Sequence, residues 1–490
     1  MVAEGCGVYG AFDRSGQDIF PYLYWGLLAQ NHRGHQSHGF LTYKGGFHSH
    51  RALGLIPPID ERGIRFWLTL LPGPVGIGNV RYSTSGASDT PSLIRNTQPL
   101  TEELEGTSLS ISFNGNVVNV LELRREFRRE LEGRERFSDA VLLCRKMLKG
   151  LREGGDLASA AKYCMEGVEG AFSVAGLTGD GALFAFRDPH GIKPLCLGRD
   201  DNVTAISSES VGLNINGIDL GSEVRPGELV VVTEDGVERE QVAPCGRKAF
   251  CAFEFAYFAR PDSIFNSKYV YLARNDFGAN LGRRYSDIAR RLDVILSIPE
   301  TADDAAYGFH EETGVPWDRA LRRHRYVTQR AFITRAEERE RILERKVNIL
   351  KSRVAGKRVG VIDDSIVRGD TTRTNVKKLR AAGAVEVHLF ITFPRIIGPC
   401  FYGIDMATYE ELIGARLTPE EIAEELGADS VNYQPIEDFV RATGMRREDL
   451  CLGCVTGEYP TPLAQKMADE MRERFLRGEE EKGRIYEVLR

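Results

Sequence analysis

The sequence predicts two successive domains, an α+β layered domain followed by an α/β domain built on a parallel sheet. At 490 residues, the chain is longer than one hydrophobic core usually supports. Up to Val242 it is rich in glycine and in short strand-like runs, which helical stretches at 18–30 and 139–149 interrupt. After the run QVAPCGRKA, strands such as KRVGVIDDS and VEVHLFITF alternate with long charged helices, as in a parallel sheet.

The domain boundaries follow from the same change of pattern. We place the first domain at 6–242, the second at 243–460 and a C-terminal helical tail at 461–490. Thr418 is expected to cap a helix that ends at Gly427, and Leu463 to Phe475 has a helical pattern. The densely charged segment 335–353 is either a solvated surface helix or a flap over an active site.

Composition excludes several classes of protein. The net charge of -6 provides no basic field for nucleic acid or an anionic membrane. No apolar run approaches the roughly 18 residues that span a bilayer, and the N-terminal MVAEGCGVYG lacks the pattern of a signal peptide. We therefore expect a cytoplasmic protein whose nine cysteines form no disulfide framework.

The most informative motif is RVGVIDDSIVRGDTT, in which a strand ends in Asp363 and Asp364 and a helix begins after the loop. Ligands of α/β sheets bind at the carboxyl ends of strands, where helix N-termini present free N–H groups to phosphate. The two acids suit ribose hydroxyls, and they suit Mg²⁺ either directly or through the diol. The loop residues expected to surround a phosphate are Ser365, Arg368, Gly369, Asp370, Thr371 and Thr372. The alternative is a strand with an acidic turn.

This motif resembles the signature of type I phosphoribosyltransferases, which bind phosphoribosylpyrophosphate (PRPP). The stretches FEFAYFARPDS, SIPETADDAA, HRYVTQRAFI and PCFYGIDMAT resemble successive blocks of the glutamine PRPP amidotransferase family. The resemblance implies that Arg325, Arg330 and Lys346 lie in the pyrophosphate and flap region, although isolated basic residues are more often solvated. RYVTQRAF has one residue more than the usual RYVGRTF, which affects the assignment of Arg330.

Cys6-Gly7-Val8-Tyr9-Gly10 resembles the start of the N-terminal-nucleophile amidotransferases, in which the thiol attacks glutamine and the α-amine of the same residue is the base. The resemblance implies an αββα-layered hydrolase domain and removal of residues 1–5 as a propeptide. The alternative is a buried structural cysteine.

The resemblance also assigns roles around Cys6. It makes Asn114 and Gly115 the oxyanion donors. It places the residues that bind glutamine at Arg33, Arg81, Thr84 and Asp139. Phe113 replaces the usual histidine of HNGN.

Four cysteines of the second half match the cluster positions of some family members. They imply a 4Fe-4S cluster held by Cys251, Cys400, Cys451 and Cys454, with four-cysteine zinc as the physical rival. We expect Cys144, Cys164, Cys196 and Cys245 to be packing residues. His32, His35 and His38 raise a weaker metal hypothesis, against solvated or core histidines.

The resemblance thus implies an enzyme that hydrolyses glutamine at Cys6 and transfers ammonia to C1 of PRPP, releasing pyrophosphate and 5-phosphoribosylamine, the first step of purine synthesis. Bound PRPP would order the flap and join the two sites. Its implied small-molecule partners include purine nucleotides as feedback inhibitors, and we expect a homo-oligomer, a dimer or tetramer.

Three alternatives remain. A sugar-phosphate amidotransferase would need an isomerase domain in place of DDSIVRGDTT, and a regulatory PRPP-binding protein would usually carry a DNA-binding unit. An unprocessed paralogue would fit every motif and still lack glutaminase activity, using free ammonia instead.

Overall fold

The protein is described from a computed structural model over residues 5–82, 90–133, 138–324 and 347–479. The expectations for Thr84, Arg325, Arg330 and Lys346, and for residues 1–4 of the propeptide, lie outside these ranges. No helix in the ranges is long and apolar enough to cross a membrane.

The first half is built on two antiparallel sheets. One has seven strands in the order β11-β9-β10-β1-β4-β2-β3, and the other has six in the order β13-β12-β8-β7-β6-β5. The strands are β1 (Gly7–Asp13), β2 (Ser37–Tyr43), β3 (Phe47–Leu53), β4 (Val75–Arg81), β5 (Leu100–Leu104), β6 (Thr107–Val117), β7 (Gly170–Thr178), β8 (Leu183–Arg187), β9 (Cys196–Arg199), β10 (Val203–Ser207), β11 (Leu220–Glu223), β12 (Glu228–Thr233) and β13 (Gly236–Gln241). The helices are α1 (Phe20–Leu28), α2 (Glu61–Leu70), α3 (Thr90–Arg95), α4 (Val120–Glu126), α5 (Asp139–Gly154), α6 (Leu157–Gly167) and α7 (Ser210–Asn214).

These elements form four layers. Apolar residues of the two sheets, such as Val8 and Ile77 on one and Ala175 and Val230 on the other, pack against each other in a shared core. A second core lies between the seven-stranded sheet and α1, and a third between the six-stranded sheet and helices α4 to α6. Side chains alternate across each strand, so both sheets bury both faces. The predicted αββα arrangement is confirmed.

The second half begins after β13. Its strands are β14 (Phe250–Cys251), β15 (Ile264–Phe265), β16 (Lys268–Tyr269), β17 (Val294–Ser297), β18 (Leu321–Arg323), β19 (Val347–Ile349), β20 (Arg358–Asp363), β21 (Glu386–Ile391), β22 (Ser430–Tyr433) and β23 (Leu450–Cys451). Its helices are α8 (Val270–Arg284), α9 (Ser286–Ala289), α10 (Asp303–Thr313), α11 (Lys351–Val354), α12 (Asp370–Ala381), α13 (Ile413–Arg416), α14 (Pro419–Leu426), α15 (Ile436–Thr443), α16 (Gly453–Thr456) and α17 (Pro462–Leu476). A π-helical turn spans Glu254–Phe258 and a 3₁₀ turn Arg447–Asp449.

The core of this half is a parallel sheet in the order β17-β20-β21-β22. One face packs against residues of α12 and α14, and the other against α10 and the end of α8. Burial on both faces explains the largely apolar runs VGVI and VHLFI in its strands. The predicted parallel sheet is confirmed, and its carboxyl edge carries Asp363.

A further core joins the two halves. Val118, Ala171 and Ile192 of the first half pack in one cluster with the π-helical turn and with α17. The predicted tail helix is therefore part of this core, and the N–H of Leu463 at its start donates to Glu169 Oε1 at 2.6 Å.

The helix Pro419–Leu426 tests how far a local cap controls stability. Thr418 Oγ1 accepts the N–H of Glu421, the Glu421 carboxylate accepts the N–H of Thr418, and Gly427 ends the helix at φ +73°. Because these bonds satisfy donors that the helix cannot, Thr418→Ala is expected to cost about 1 kcal/mol, raising amide exchange in this helix about fivefold. Hydrogen exchange with mass spectrometry measures this. Thr418→Ser should exchange like the wild type, and exchange as fast as in the alanine variant would contradict the cap.

Candidate functional site

Cys6 lies directly before β1, near the centre of the seven-stranded sheet, and is 7% exposed. Its thiol donates to the carbonyl oxygen of Tyr82, with Sγ and O 3.5 Å apart. Burial raises the pKa of the Cys6 thiol, and the charge of Arg81 offsets only part of that rise. The thiol is therefore protonated near neutral pH and needs a base before it can act as a nucleophile.

Arg81 and Asp139 share this environment. Arg81 ends β4, next to β1, and Asp139 begins α5. Their charges act on each other and on Cys6, and both side chains are buried. Asp139 also accepts the N–H of Val117 at 3.1 Å. A cation and an anion beside one thiol match the carboxylate and ammonium of an α-amino acid.

Asn114 and Gly115 reach the same place from β6 of the facing sheet. Asn114 is fully buried, and within the described ranges neither its Nδ2 nor its Oδ1 has a hydrogen-bond partner. Its Oδ1 lies 3.3 Å from where a Cβ on Gly5 would stand, so the carboxamide borders the Gly5–Cys6 peptide. A buried amide without a partner is costly, which indicates that a ligand group completes it.

The backbone at Gly115 admits only glycine. Its φ is +149°, and an added Cβ would lie 1.8 Å from the carbonyl oxygen of Ala171 on β7. The neighbouring Phe113 packs its side chain into the core on the helix side of the sheet. Since side chains alternate along a strand, replacement of histidine by Phe113 changes the face opposite to Asn114.

Arg33 was expected at the edge of the glutamine pocket, and the structure gives its guanidinium other partners. Arg33 Nε donates to the carbonyl oxygen of Cys6 at 3.0 Å, and Nη1 to Glu209 Oε1 at 2.5 Å. Both terminal nitrogens donate to Glu254, at 2.9 and 2.8 Å. With all three side chains fully buried, Arg33 holds the backbone of Cys6 and links it to the second half.

Glu209 is the second centre of this network. It accepts from His32 Nε2 at 2.8 Å, from Ser263 Oγ at 2.6 Å and from the N–H of Arg260 at 2.9 Å. Although burial alone would raise it, the charges of His32 and Arg33 hold the pKa of Glu209 far below its usual value.

Two of the three histidines of the metal hypothesis, His32 and His38, have hydrogen-bond partners within the protein. His32 binds Glu209, and His38 Nδ1 lies 2.9 Å from the carbonyl oxygen of Gly54. Over the described part of the chain, no three His, Cys, Asp or Glu side chains are grouped so that they could hold one metal ion.

Glu209 and Glu254 are functional candidates that the sequence analysis missed. Glu254 stands in FEFAYF, part of a stretch that was assigned to a family block, and Glu209 stands in the short run SSES. An acid enclosed by aromatic residues, as in FEFAYF, is the available signal, because such an acid is buried only with a charged partner. The partner itself, Arg33, lies 221 positions away.

The acidic motif of the second half lies at the carboxyl end of β20, as predicted. Asp364 accepts from Thr301 Oγ1 at 2.5 Å and from Ser365 Oγ at 2.7 Å, and its N–H donates to Asp363 Oδ1 at 2.9 Å. Burial raises the pKa of both acids. Two adjacent buried carboxyls of this kind favour a ligand that brings hydroxyl donors or a cation.

The loop after these acids leads into α12. Gly369 has φ +86°, and the helix begins at Asp370. Thr372, in the first turn, is buried, and Thr371 lies beside it in the same turn. The backbone N–H groups and hydroxyls at a helix N-terminus of this kind suit a phosphate.

Arg368 is paired with acidic residues from outside this loop. Its Nε donates to Glu411 Oε2 at 2.7 Å, and its Nη2 contacts the same carboxylate and lies 3.7 Å from Asp405 Oδ2. The expectation that Arg368 binds PRPP stays a prediction, and its acidic partners come from a segment that the motif does not include.

The four cysteines assigned to a cluster converge on one small cavity. Pairing of β14 with β23 places Cys251 beside Cys451. The cavity is lined by Cys251, Cys400, Cys451 and Cys454 together with Ile192, Phe253, Tyr402, Ile404 and Tyr459. Burial raises the pKa of Cys251 to about 11, which disfavours a free thiolate there without a metal partner.

The remaining cysteines lie elsewhere. Cys144, Cys164 and Cys196 are buried in the cores of the first half, and Cys245 is exposed. This placement agrees with packing for the three buried cysteines, whereas the expectation that Cys245 is a packing residue is wrong, because Cys245 is exposed.

Comparisons with known proteins cover both halves. A profile of the glutamine amidotransferase domain family matches residues 89–214. The chain is 36% identical to the amidophosphoribosyltransferase of Methanothermobacter thermautotrophicus over 96% of its length and 97% of the relative's. It is 37% identical to the amidophosphoribosyltransferase of Methanocaldococcus jannaschii, over 94% of this chain and 98% of that relative.

Solved structures give the same result. The glutamine PRPP amidotransferase of B. subtilis, complexed with ADP and GMP, superposes with a TM-score of 0.83 at 32% identity, over 94% of this chain and 98% of the other. A structure described as the allosteric regulatory enzyme of purine biosynthesis has the same score and identity, over 94% of this chain and 97% of its own.

The buried network predicts a large loss of stability when one acid is removed. Glu254→Ala leaves the buried charge of Arg33 with only part of its compensation, and we expect the free energy of unfolding to fall by about 3 kcal/mol. Urea titration followed by intrinsic fluorescence measures it. The control is Glu312→Ala, which removes the exposed pair with Arg283 and should cost about 0.5 kcal/mol or less. Equal losses in the two variants would contradict a structural role for the network.

Proposed function

The chain belongs to the amidophosphoribosyltransferase family, and we propose that it hydrolyses glutamine at Cys6 and transfers the ammonia to C1 of PRPP. The products are pyrophosphate and 5-phosphoribosylamine, in the first step of de novo purine synthesis. The observation that carries the proposal is the carboxamide of Asn114, which has no hydrogen-bond partner among the described residues and lies beside the Gly5–Cys6 peptide. In the second half of the same chain, a parallel strand ends at Asp363, and Asp364 follows it.

Glutaminase chemistry requires that residues 1–5 be removed. The nitrogen of Cys6 is an amide in the intact chain, and an amide cannot take the proton of a buried thiol. Gly5 is buried next to Asn114, Arg33 and Lys193, so its removal would open space beside the thiol and leave an α-amine to serve as the base.

The hydrolysis then uses residues from both sheets. The Cys6 sulfur attacks the amide carbon, and the thiol proton passes through the α-amine to the departing ammonia. The oxyanion of the tetrahedral intermediate accepts hydrogen bonds from Asn114 Nδ2 and the N–H of Gly115. Water hydrolyses the resulting thioester to glutamate and regenerates the thiol.

The glutamine backbone binds to the charges beside Cys6. Arg81 pairs with the α-carboxylate and Asp139 with the α-ammonium, and Thr84 belongs to the same pocket by family resemblance. Arg33 positions the backbone of Cys6 by donating a hydrogen bond to its carbonyl oxygen.

PRPP binds at the carboxyl end of the parallel sheet. Asp363 and Asp364 accept hydrogen bonds from the ribose hydroxyls, or would hold a Mg²⁺ ion that binds these hydroxyls. The loop that surrounds the 5-phosphate contains Ser365, Gly369, Asp370, Thr371 and Thr372. By family resemblance, Arg325 and Lys346 would bind the pyrophosphate. Ammonia attacks C1, the bond from C1 to the pyrophosphate oxygen breaks, and 5-phosphoribosylamine forms after loss of a proton.

A 4Fe-4S cluster fits the cavity formed by the four cysteines. The four thiols line the cavity together with apolar and aromatic side chains. A cubane cluster binds one thiolate at each of its four iron atoms. Zinc, the rival, requires all four sulfurs within about 2.3 Å of a single point. The cluster would be structural, tying Cys251, Cys400 and the pair Cys451 and Cys454 together across the second half.

The ligands and assembly follow the relatives. A related enzyme has been solved with ADP and GMP, which supports purine nucleotides as feedback inhibitors of this chain. We extend the proposal to a cytoplasmic homo-oligomer, a dimer or tetramer.

The nucleophile is tested by Cys6→Ala. We expect loss of glutamine-dependent glutamate release and retention of ammonia-dependent pyrophosphate release, because the PRPP site does not use the thiol. Asn114→Ala should slow glutamine hydrolysis by about 100- to 1,000-fold. Coupled assays of glutamate and pyrophosphate measure both.

The control is Cys245→Ala, at an exposed cysteine, which should keep both activities. Intact mass shows whether MVAEG has been removed. A wild-type protein that retains it and releases no glutamate, while using ammonia, would establish the unprocessed alternative and refute the glutaminase proposal.

The cysteine cavity is tested by Cys454→Ser. We expect the purified wild-type protein to contain iron and acid-labile sulfide and to absorb broadly in the visible range, and the variant to lose these. Elemental analysis and absorbance spectra are the measurements, with Cys245→Ser as the control that keeps the cluster. Stoichiometric zinc without sulfide in the wild type would refute the cluster.

A further inference from the structure

We propose that Arg368 and Glu411 are positioning residues that transmit the occupancy of the PRPP loop to the oxyanion strand of the glutaminase site. The inference rests on the proposed function and deepens it, because it names the route by which one site regulates the other. It concerns segment 400–411, which contacts the loop at one end and β6 at the other.

The first contact joins the loop to this segment. Arg368 donates through Nε to Glu411 Oε2 at 2.7 Å and reaches the same carboxylate through Nη2. The N–H of Ile413 also donates to the carbonyl oxygen of Val367 at 3.0 Å. Arg368 and Glu411 are 28% and 19% exposed, so solvent screens this pair less than a surface pair.

The second step lies within the segment. The Glu411 carboxylate accepts backbone N–H groups from Thr408, at 3.1 Å, and from Ala407. The N–H of Cys400 donates to the carbonyl oxygen of Met406 at 2.8 Å. The Glu411 carboxylate therefore binds both Arg368 and the backbone of its own segment. Because of these shared contacts, a movement of the loop would also move the segment.

The third step reaches the glutaminase site. Asn116 Nδ2 donates to the carbonyl oxygen of Phe401 at 2.9 Å. Gly403 has φ +97°, and a Cβ there would stand 3.2 Å from the carbonyl oxygen of Gly115. Gly115, whose N–H would be an oxyanion donor, thus contacts this segment through its own carbonyl group, without an intervening side chain.

These contacts form one physical path from the PRPP loop to the oxyanion donors. When PRPP orders the loop, the position of Arg368 is fixed, and Glu411 holds the segment against Gly115 in the geometry that favours glutamine hydrolysis. Coupling of this kind between two sites is typically worth about 5- to 150-fold in a measured equilibrium or rate.

The test is the stimulation of glutamate release by PRPP in the full chain. Glu411→Gln keeps the size of the side chain and removes its charge, and we expect the stimulation to fall by about fivefold or more, through a lower kcat with PRPP present. The KM for PRPP with ammonia as nitrogen source should stay within about twofold, because Glu411 lies outside the PRPP site. Arg368→Gln should give the same loss of stimulation, and the double variant no further loss, as for two residues of one interaction.

The matched control is Glu425→Gln. Glu425, on α14, pairs at 2.7 Å with Arg373, on the helix α12 that follows the PRPP loop, and this pair is exposed. The variant should keep full stimulation.

Hydrogen exchange of the strand 114–117 gives a readout that needs no turnover. PRPP should slow its exchange in the wild type and not in Glu411→Gln. Full stimulation and full protection in Glu411→Gln would overturn the inference, as would a rise in the KM for PRPP that accounts for the whole effect of Arg368→Gln. The proposed function fails separately, if the wild type releases neither glutamate from glutamine nor pyrophosphate from PRPP.

Discussion

The buried guanidinium of Arg33 is the interaction on which the arrangement of this protein depends. The guanidinium is fully buried and has no contact with solvent. Its charge is therefore tolerated only because the carboxylates of Glu209 and Glu254 both bind it. Glu209 belongs to the first half and Glu254 to the π-helical turn of the second. The same guanidinium holds the Cys6 carbonyl. The place of the nucleophile and the junction of the two halves are therefore set by one ion network, and neither could shift without leaving a buried charge uncompensated.

The layered fold explains how the other groups meet at Cys6. β1 and β4 lie in one sheet and β6 in the other, and Asn79 Nδ2 joins them by donating to the carbonyl oxygen of Phe113 at 3.5 Å. Because the strands alternate their faces, Asn114 and Phe113 divide between the glutaminase site and the helix-side core. Asn114 and Gly115, the proposed oxyanion donors, thus lie near the thiol while remaining within a regular strand.

The junction between the halves also brings together residues that are far apart in the sequence. Segment 400–411 contributes Cys400 to the cysteine cavity, packs on Gly115 and receives Arg368 from the loop after β20. Lys193 lies in the same region, fully buried and 3.8 Å from Glu254 Oε1. The cysteine cavity, the strand of Asn114 and Gly115, and the loop after β20 therefore all contact segment 400–411, and backbone contacts connect them.

The sequence by itself determined the features that depend on local chemistry. The capping box at Thr418 and the helix end at Gly427 follow from neighbouring residues, and the apolar run before Asp363 predicted a buried parallel strand ending in two acids. The match of motifs in order also predicted that Asn114, Arg81 and Asp139 would gather near Cys6, and their placement agrees with it.

Only the tertiary structure decided which partners the buried charges would take. Arg33 was assigned to the glutamine pocket and binds two acids, one of them 221 positions away. Arg368 was assigned to PRPP, and its guanidinium forms an ion pair with Glu411. Cys251 lies beside Cys451 only because β14 and β23 pair. Periodicity and turn chemistry act over a few residues, whereas a buried ion pair or a thiol cavity forms wherever the packed chain excludes water, and that is a property of the whole fold.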